Sequence, residues 1–319
     1  MPLVEVENLR MYYKVLRGYV KAVDDVTFEL ERQDSLGLAG ESGCGKTSTA
    51  LALLSLLPWN ARIVGGKIMF DGKDIAKMSD KDIRNKIRWK RISMIFQGAM
   101  NALHPTYSIG HQIAEAILTH EDVTKDEAME RAGKLLEIVG LEREKINRYP
   151  HELSGGMKQR VVTAMALACN PDLVIADEPT TALDVIVQAQ VLKVMIELQR
   201  KLNLSWLLIT HDLSMITETC NRLGIMYAGK IMEYGDLKDI YKEPLHPYTQ
   251  KLLTAFPSIA GEKMELSSIP GFPPNLLNPP PGCRFHPRCP HAKEICRRKE
   301  PTFISADRKG HYLACHLYQ

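Results

Sequence analysis

The residues best suited to chemistry in this chain are Gly40, Glu41, Ser42, Gly43, Cys44, Gly45, Lys46 and Thr47, which match G-x-x-x-x-G-K-[ST] at every fixed position. That spacing suits a polyphosphate. The glycines let consecutive backbone N–H groups curl around phosphate oxygens, Lys46 sets a point charge near the β and γ positions, and the Thr47 hydroxyl can ligate Mg²⁺, with Ser48 completing the set. An ordinary glycine-rich turn is the bland alternative, and it weakens because further motifs lie downstream.

The second candidate is Leu173-Val174-Ile175-Ala176-Asp177-Glu178, a continuous apolar run ending in two carboxylates. This is the pattern of a buried parallel strand that delivers charge at its C-terminal edge. Asp177 is placed to hold Mg²⁺ through its water shell, and Glu178 to accept a proton from the water that attacks a γ-phosphate. Alone, such a run is more often a strand entering a solvated turn, but pairing with the upstream phosphate loop reverses that balance. The third is Leu153-Ser154-Gly155-Gly156-Met157-Lys158-Gln159-Arg160, opening a helix that continues through Val161, Ala164, Leu167 and Ala168. Free N–H groups and the Ser154 hydroxyl there can contact a phosphate, and a plain N-capped helix fits equally well.

These groups need elements to position them. Residues 35–39 read as a short buried strand before the phosphate loop, and residues 47–54 as the helix after it. Residues 3–9, 19–30 and 66–71 carry the β-branched or alternating patterns of an antiparallel sheet. Between residues 109 and 141 the period turns helical, with Ile113, Ala116 and Ile117, then Ala128, Ala132, Leu135, Leu136 and Val139, and Gly140 closing the stretch as a C-cap. Strands return at 173–176 and 206–209, each after a helical stretch, which is the alternation of a parallel sheet.

A length of 319 residues, with 45% hydrophobic and 25% charged side chains, suits a globular chain and excludes disordered and collagen-like classes. The net charge of +3 is unevenly placed, since residues 270–319 hold eight Lys/Arg against three Asp/Glu, which alone does not imply nucleic acid. No apolar run is long enough to span a bilayer, and the N-terminus lacks a signal-peptide pattern, so the chain is expected in the cytosol, meeting a membrane only through partners.

Of the seven cysteines, Cys44, Cys169 and Cys220 read as small buried or loop thiols. Cys283, Cys289, Cys296 and Cys315, spaced C-x5-C-x6-C-x18-C in a basic segment, suit one metal centre. The spacing lacks the C-x2-C pairs of a zinc ribbon, so zinc stays open but less suited, while an iron–sulfur cluster tolerates it. Half of the 18 prolines fall in the last fifty residues, so this backbone cannot form long helices or a central sheet and is expected to need cross-links or a metal centre. His286, His291 and His316 nearby read as surface or packing residues.

LSGGMKQR, just before the Asp-Glu strand, resembles the signature sequence of ATP-binding-cassette (ABC) ATPases. The resemblance implies an α/β fold of the ABC type of P-loop NTPase: a mixed RecA-like core with an antiparallel β subdomain and a helical subdomain at about residues 98–160. That nucleotide-binding domain would cover residues 1–255, with a small irregular C-terminal metal-binding module over 256–319. It also implies a dimer in which Ser154, Gly155 and Gly156 of one subunit complete the ATP site of the other. Tyr13 resembles the aromatic residue that stacks on adenine, and Gln97 the glutamine that senses Mg²⁺ and the transporter. Ala182-Leu183-Asp184 is similar to the dimer-contact loop, and His211 to the histidine that contacts the γ-phosphate.

Tyr149-Pro150-His151-Glu152, Asp184-Val185 with Gln188-Ala189-Gln190, and Pro244-Leu245-His246-Pro247-Tyr248-Thr249 are similar to the oligopeptide and dipeptide importer subfamily. Met157 and Pro179-Thr180-Thr181 favour its D-type subunit. This implies Mg²⁺-dependent ATP hydrolysis, an F-type ATPase partner in a heterodimer, two transmembrane permease subunits, an extracytoplasmic solute-binding protein acting indirectly, a place on the cytoplasmic face of the cell membrane, and no nucleic acid. Peptides are the default solute, with nickel and oligosaccharide importers as relatives. The resemblance extends to the cysteine motif, which in members of the group is associated with a [4Fe-4S] cluster, Zn²⁺ being the alternative. Cys44 departs from a common serine, and Gly98-Ala99 from a frequent Asp-Pro. A soluble cassette ATPase working on nucleic acid or ribosomes would carry a coiled-coil insertion or tandem cassettes, and intact Glu178 and His211 oppose an adaptor that only binds ATP.

Overall fold

The structure, a computed structural model, describes residues 1–181, 183–254, 269–306 and 310–319. Ala182 and the domain boundary expected at 255/256 lie outside the described residues. The chain begins with strands β1 (Val4–Val15), β2 (Gly18–Leu30) and β3 (Ser35–Ala39), helix α1 (Lys46–Leu53), strands β4 (Ala61–Phe70) and β5 (Lys73–Asp74), helix α2 (Asp80–Lys86) and strand β6 (Ile92–Ile95). Helices α3 (Ile109–His120), α4 (Lys125–Ile138) and α5 (Gly155–Ala166) follow, then β7 (Leu173–Asp177), α6 (Val185–Leu202), β8 (Ser205–Ile209), α7 (Leu213–Thr219), β9 (Arg222–Tyr227) and β10 (Lys230–Asp236). The last elements are α8 (Leu237–Lys242), α9 (Pro247–Thr254), α10 (Glu294–Arg298), β11 (Ile304–Ser305) and β12 (Tyr312–Leu313).

Two compact units result. The first comprises Met1–Glu31, Ser35–Lys77 and Ile209–Gln319. Its N-terminal strands form an antiparallel sheet in the order β2-β1-β4-β5, as the alternating patterns predict. Beside it runs the order β11-β12-β10-β9-β3, with β3 parallel to β9. Every residue of β3 is buried, which is why it reads as an unbroken apolar run rather than an alternating one.

The second unit comprises Arg32–Asp34 and Met78–Leu208. It carries β8-β7-β6 in that order, β6 and β7 parallel, with the helical stretch α3 to α5. Thr124 and Glu127 cap α4 reciprocally, and its buried Ala128, Ala132, Leu135 and Leu136 are the residues whose 3.6 period marks the helix. Gly140, at φ +75°, takes the left-handed turn that ends it.

The proline-rich C-terminal segment is held by packing. Phe285 is fully buried against the rings of Tyr227 and Tyr248, each at 5.2 Å, and His246 at 5.9 Å. Buried Arg284 donates to the Ala228 carbonyl and the Asp24 carboxylate. Glu233, wholly buried, accepts from the backbone N–H groups of Leu245 and His246 at 2.9 Å and pairs with His311 Nε2 at 2.8 Å. Two-residue β12 adds to the edge of β10, so the segment extends a sheet without building a central one. Among the described residues, no group of three or more His, Cys, Asp or Glu is placed to hold a metal ion, so the fold lends the expected metal-binding character no support.

Candidate nucleotide-binding site

In the first unit the chain leaves β3, loops through residues 40–45 and enters α1. Gly40 sits at φ +150° and Gly45 at φ +110°, and a Cβ on either would lie 2.1 Å from the Met226 carbonyl oxygen or 2.2 Å from that of Ala22. No L side chain fits those two positions. Gly45 caps α1 without any side-chain hydrogen bond, and no acidic residue occupies the first turn, so the helix N-terminus presents donors and positive potential. Lys46 is buried, its Nζ donating to the carbonyls of Gly40 at 2.7 Å and Glu41 at 3.2 Å. Cys44 is buried beside it, and that burial pushes its thiol pKa up. Ser42, Gly43 and Thr47 are exposed, and the Tyr13 hydroxyl meets Ser48 Oγ at 3.0 Å. His211, exposed, lies on the same unit between β8 and α7.

In the second unit, β7 is buried throughout and ends in Asp177. Glu178 follows at φ +46°, a left-handed conformation costly for a side chain of this kind and concentrated at functional sites. Gln97 Nε2 donates to Glu178 Oε2 at 2.8 Å and the Thr181 hydroxyl to the same oxygen at 3.2 Å, so two candidates far apart in sequence meet. Ser154 caps α5 by accepting from the Met157 N–H at 3.4 Å, with Ser154 and Gly155 exposed. A Cβ on Gly156 would come 2.4 Å from Val187 Cγ1, so close packing of α5 on α6 accounts for that glycine. Asp184 caps α6 by accepting from the Val187 N–H at 3.0 Å, and the next two residues, Val185 and Ile186, are 81% and 73% exposed. Tyr13, residues 40–48 and His211 thus stand on one unit, and Gln97, Ser154 to Gly156, Asp177, Glu178 and Asp184 on the other.

The C-terminal thiols Cys283, Cys296 and Cys315 are buried and Cys289 is half-buried. Burial pushes Cys283 up to about 12, with Cys296, Cys315 and Cys289 close enough to add to the shift. His286 Nδ1 bonds the Cys283 carbonyl at 2.9 Å and His316 Nε2 the Lys299 carbonyl at 2.8 Å, the packing roles expected of them.

Two residues at the phosphate loop escape sequence reasoning. The Glu41 N–H donates to the Tyr248 hydroxyl at 3.1 Å, and the Glu41 carboxylate takes a two-pronged bond from Arg288 at 2.7 and 2.9 Å. Tyr248 was visible only as part of a subfamily marker, and nothing local distinguishes Arg288 from the basic residues around it.

Residues 23–181 match the ABC transporter family model, and residues 232–296 match the oligopeptide/dipeptide transporter C-terminal region. The chain is 46% identical, over 98% of its length and 93% of the relative's, to the oligopeptide transport ATP-binding protein OppD of Salmonella typhimurium. It is 45% identical, over 99% of its length and 94% of the relative's, to the dipeptide transport ATP-binding protein DppD of Bacillus subtilis. Among solved structures, the dimeric post-hydrolysis ATP-binding cassette MJ0796 bound to ADP and Pi is similar in fold, with TM-score 0.65 and 24% identity over 73% of this chain and 98% of that one.

Proposed function

This chain belongs to the ABC transporter ATPases, and we infer from that membership and from its C-terminal region that it hydrolyses ATP to power oligopeptide or dipeptide import. The observation that carries the chemistry is the Glu178 carboxylate, oriented by Gln97 and Thr181 at the end of a buried strand. ATP phosphates settle on the N-terminus of α1, where Lys46 exchanges its loop carbonyls for the β and γ oxygens and Tyr13 faces the adenine. Thr47, Asp177 and Gln97 would hold Mg²⁺, which when bound neutralises charge on the transferred phosphoryl group. Glu178 takes the proton of the attacking water and His211 contacts the γ-phosphate. Ser154, Gly155 and Gly156 complete the ATP site of a second ATPase of the F type, whose equivalent residues complete this one, with Asp184 at the dimer contact, where exposed Val185 and Ile186 favour burial by a partner.

No helix of the described residues is long and apolar enough to cross a membrane. Two transmembrane permease subunits supply that passage in this proposal, with an extracytoplasmic solute-binding protein upstream and the ATPase on the cytoplasmic face.

The four C-terminal thiols fit a [4Fe-4S] cluster better than Zn²⁺. The donor set is all sulfur, and the Cys283 thiol feels those of Cys289, Cys296 and Cys315. The spacing C-x5-C-x6-C-x18-C lacks the C-x2-C pairs of a zinc ribbon, whereas an iron–sulfur cluster held by four thiolates tolerates it. Bound there, a cluster supplies a cross-link over residues 283–315 and a one-electron couple.

Glu178→Gln tests the hydrolytic assignment. ATP turnover should fall about 10²- to 10⁴-fold while an ATP-bound dimer accumulates on size-exclusion chromatography. Normal turnover in that variant removes Glu178 as the base.

A further inference from the structure

The C-terminal segment reaches the phosphate loop through a residue that no motif explains. The Arg288 side chain, 6% exposed, has an acceptor for each of its five N–H groups. Nη1 donates to Glu41 Oε2 at 2.7 Å and the Tyr227 hydroxyl at 3.3 Å, Nη2 to Glu41 Oε1 at 2.9 Å and the Ile269 carbonyl at 3.1 Å, and Nε to the Pro270 carbonyl at 2.9 Å. Its guanidinium carbon also lies 5.7 Å from the centre of the Tyr227 ring. Glu41 is gripped elsewhere too. Its N–H donates to the buried Tyr248 hydroxyl at 3.1 Å, and its carbonyl accepts from Lys46 Nζ at 3.2 Å.

Glu41 is an anion inside a loop built for a polyanion. Unpaired, its carboxylate would repel the phosphates and be free to swing across the loop. Arg288 neutralises that charge and draws it away along a planar fork that a lysine cannot reproduce. The same grip fixes the carbonyl on which Lys46 rests, so the lysine waits in one place, and a preorganised loop loses less freedom when the ligand arrives. Attachment of the segment does not depend on this contact, because Arg284 and Phe285 already anchor it.

We propose that Arg288 is a positioning residue for nucleotide binding: through Glu41 it holds the phosphate loop ready for ATP and makes ATP affinity depend on the C-terminal segment. This rests on residues 40–48 being the nucleotide site. The test is equilibrium binding of ATP to the full chain, together with KM and kcat for hydrolysis. Arg288→Ala should weaken ATP binding about tenfold and raise KM to match, with kcat at saturating ATP held. In a Glu41→Ala background the same substitution should cost nothing further.

Lys46→Ala separates the two ideas. If it abolishes the ATP binding of the wild type, the site assignment stands, and wild-type affinity in Arg288→Ala then overturns the proposal. Multiplying losses in the double variant overturn it as well, because the two side chains would then act apart. Should Arg288→Ala fail to fold, Arg288→Lys decides: severalfold weaker ATP binding supports the clasp and unchanged affinity refutes it.

Discussion

His246 makes this chain sensitive to acid in a calculable way. Its ring is buried, its Nδ1 accepts from the Tyr248 N–H at 3.0 Å to start α9, and its backbone N–H donates to Glu233. Burial lowers its pKa from 6.5 to about 4, although Glu233 and the Ala314 carbonyl pull the other way. The folded pKa lies below the unfolded one, so the unfolded chain binds the extra proton first. Stability from this group is complete above about pH 6.5 and is lost as pH falls towards 4. A shift of 2.5 units is worth roughly 3.4 kcal/mol in full, of which about 2.4 kcal/mol should disappear between pH 7 and pH 4.5.

The perturbation that isolates the effect is His246→Asn, whose side-chain oxygen can still accept from the Tyr248 N–H but does not titrate. Urea unfolding of both proteins at the two pH values, followed by circular dichroism, gives the comparison. Ionisable groups remote from residue 246 titrate alike in both chains and cancel in the difference. The stability advantage of the wild type over the variant should shrink by about 2.4 kcal/mol on acidification. A difference that stays constant within about 0.5 kcal/mol would mean that His246 is not held neutral by burial.

Gly45→Ala should abolish ATP binding, because about 1–2 kcal/mol of left-handed strain adds to a collision with the Ala22 carbonyl at 2.2 Å. Normal ATP affinity measured by calorimetry would show that the loop does not take this shape. Protein purified without oxygen should be brown and contain iron and acid-labile sulfide, and Cys289→Ser should bleach it. A colourless preparation with one zinc per chain reverses the preference for a cluster.

Contiguous features were legible from the chain alone. The strand, loop and helix around residues 40–47, the capped helix at Ser154 and the two carboxylates after β7 are encoded within a few residues, where backbone sterics and period decide. The glycines were equally readable, since φ values of +150° and +110° leave no other residue at Gly40 and Gly45. Less legible was the proline-rich end. Its composition suggested a segment in need of a metal or cross-link, and did not announce the packing that the fold adds there, with Phe285 seated among three rings and Arg284 on buried acceptors. Such docking depends on a surface made by other parts of the chain, and local composition carries no record of it.

Sequence by itself determined that this protein binds a nucleoside triphosphate and belongs with the ABC ATPases, because phosphate chemistry requires particular residues at fixed short spacings. Tertiary structure alone decided which distant groups cooperate. Gln97 meets Glu178 across 81 positions, and Arg288 meets Glu41 across 247. Those pairings arise from the path of the folded backbone: a guanidinium finds its carboxylate only once β3, β9 and α9 have brought the loop and the C-terminal segment within hydrogen-bonding reach.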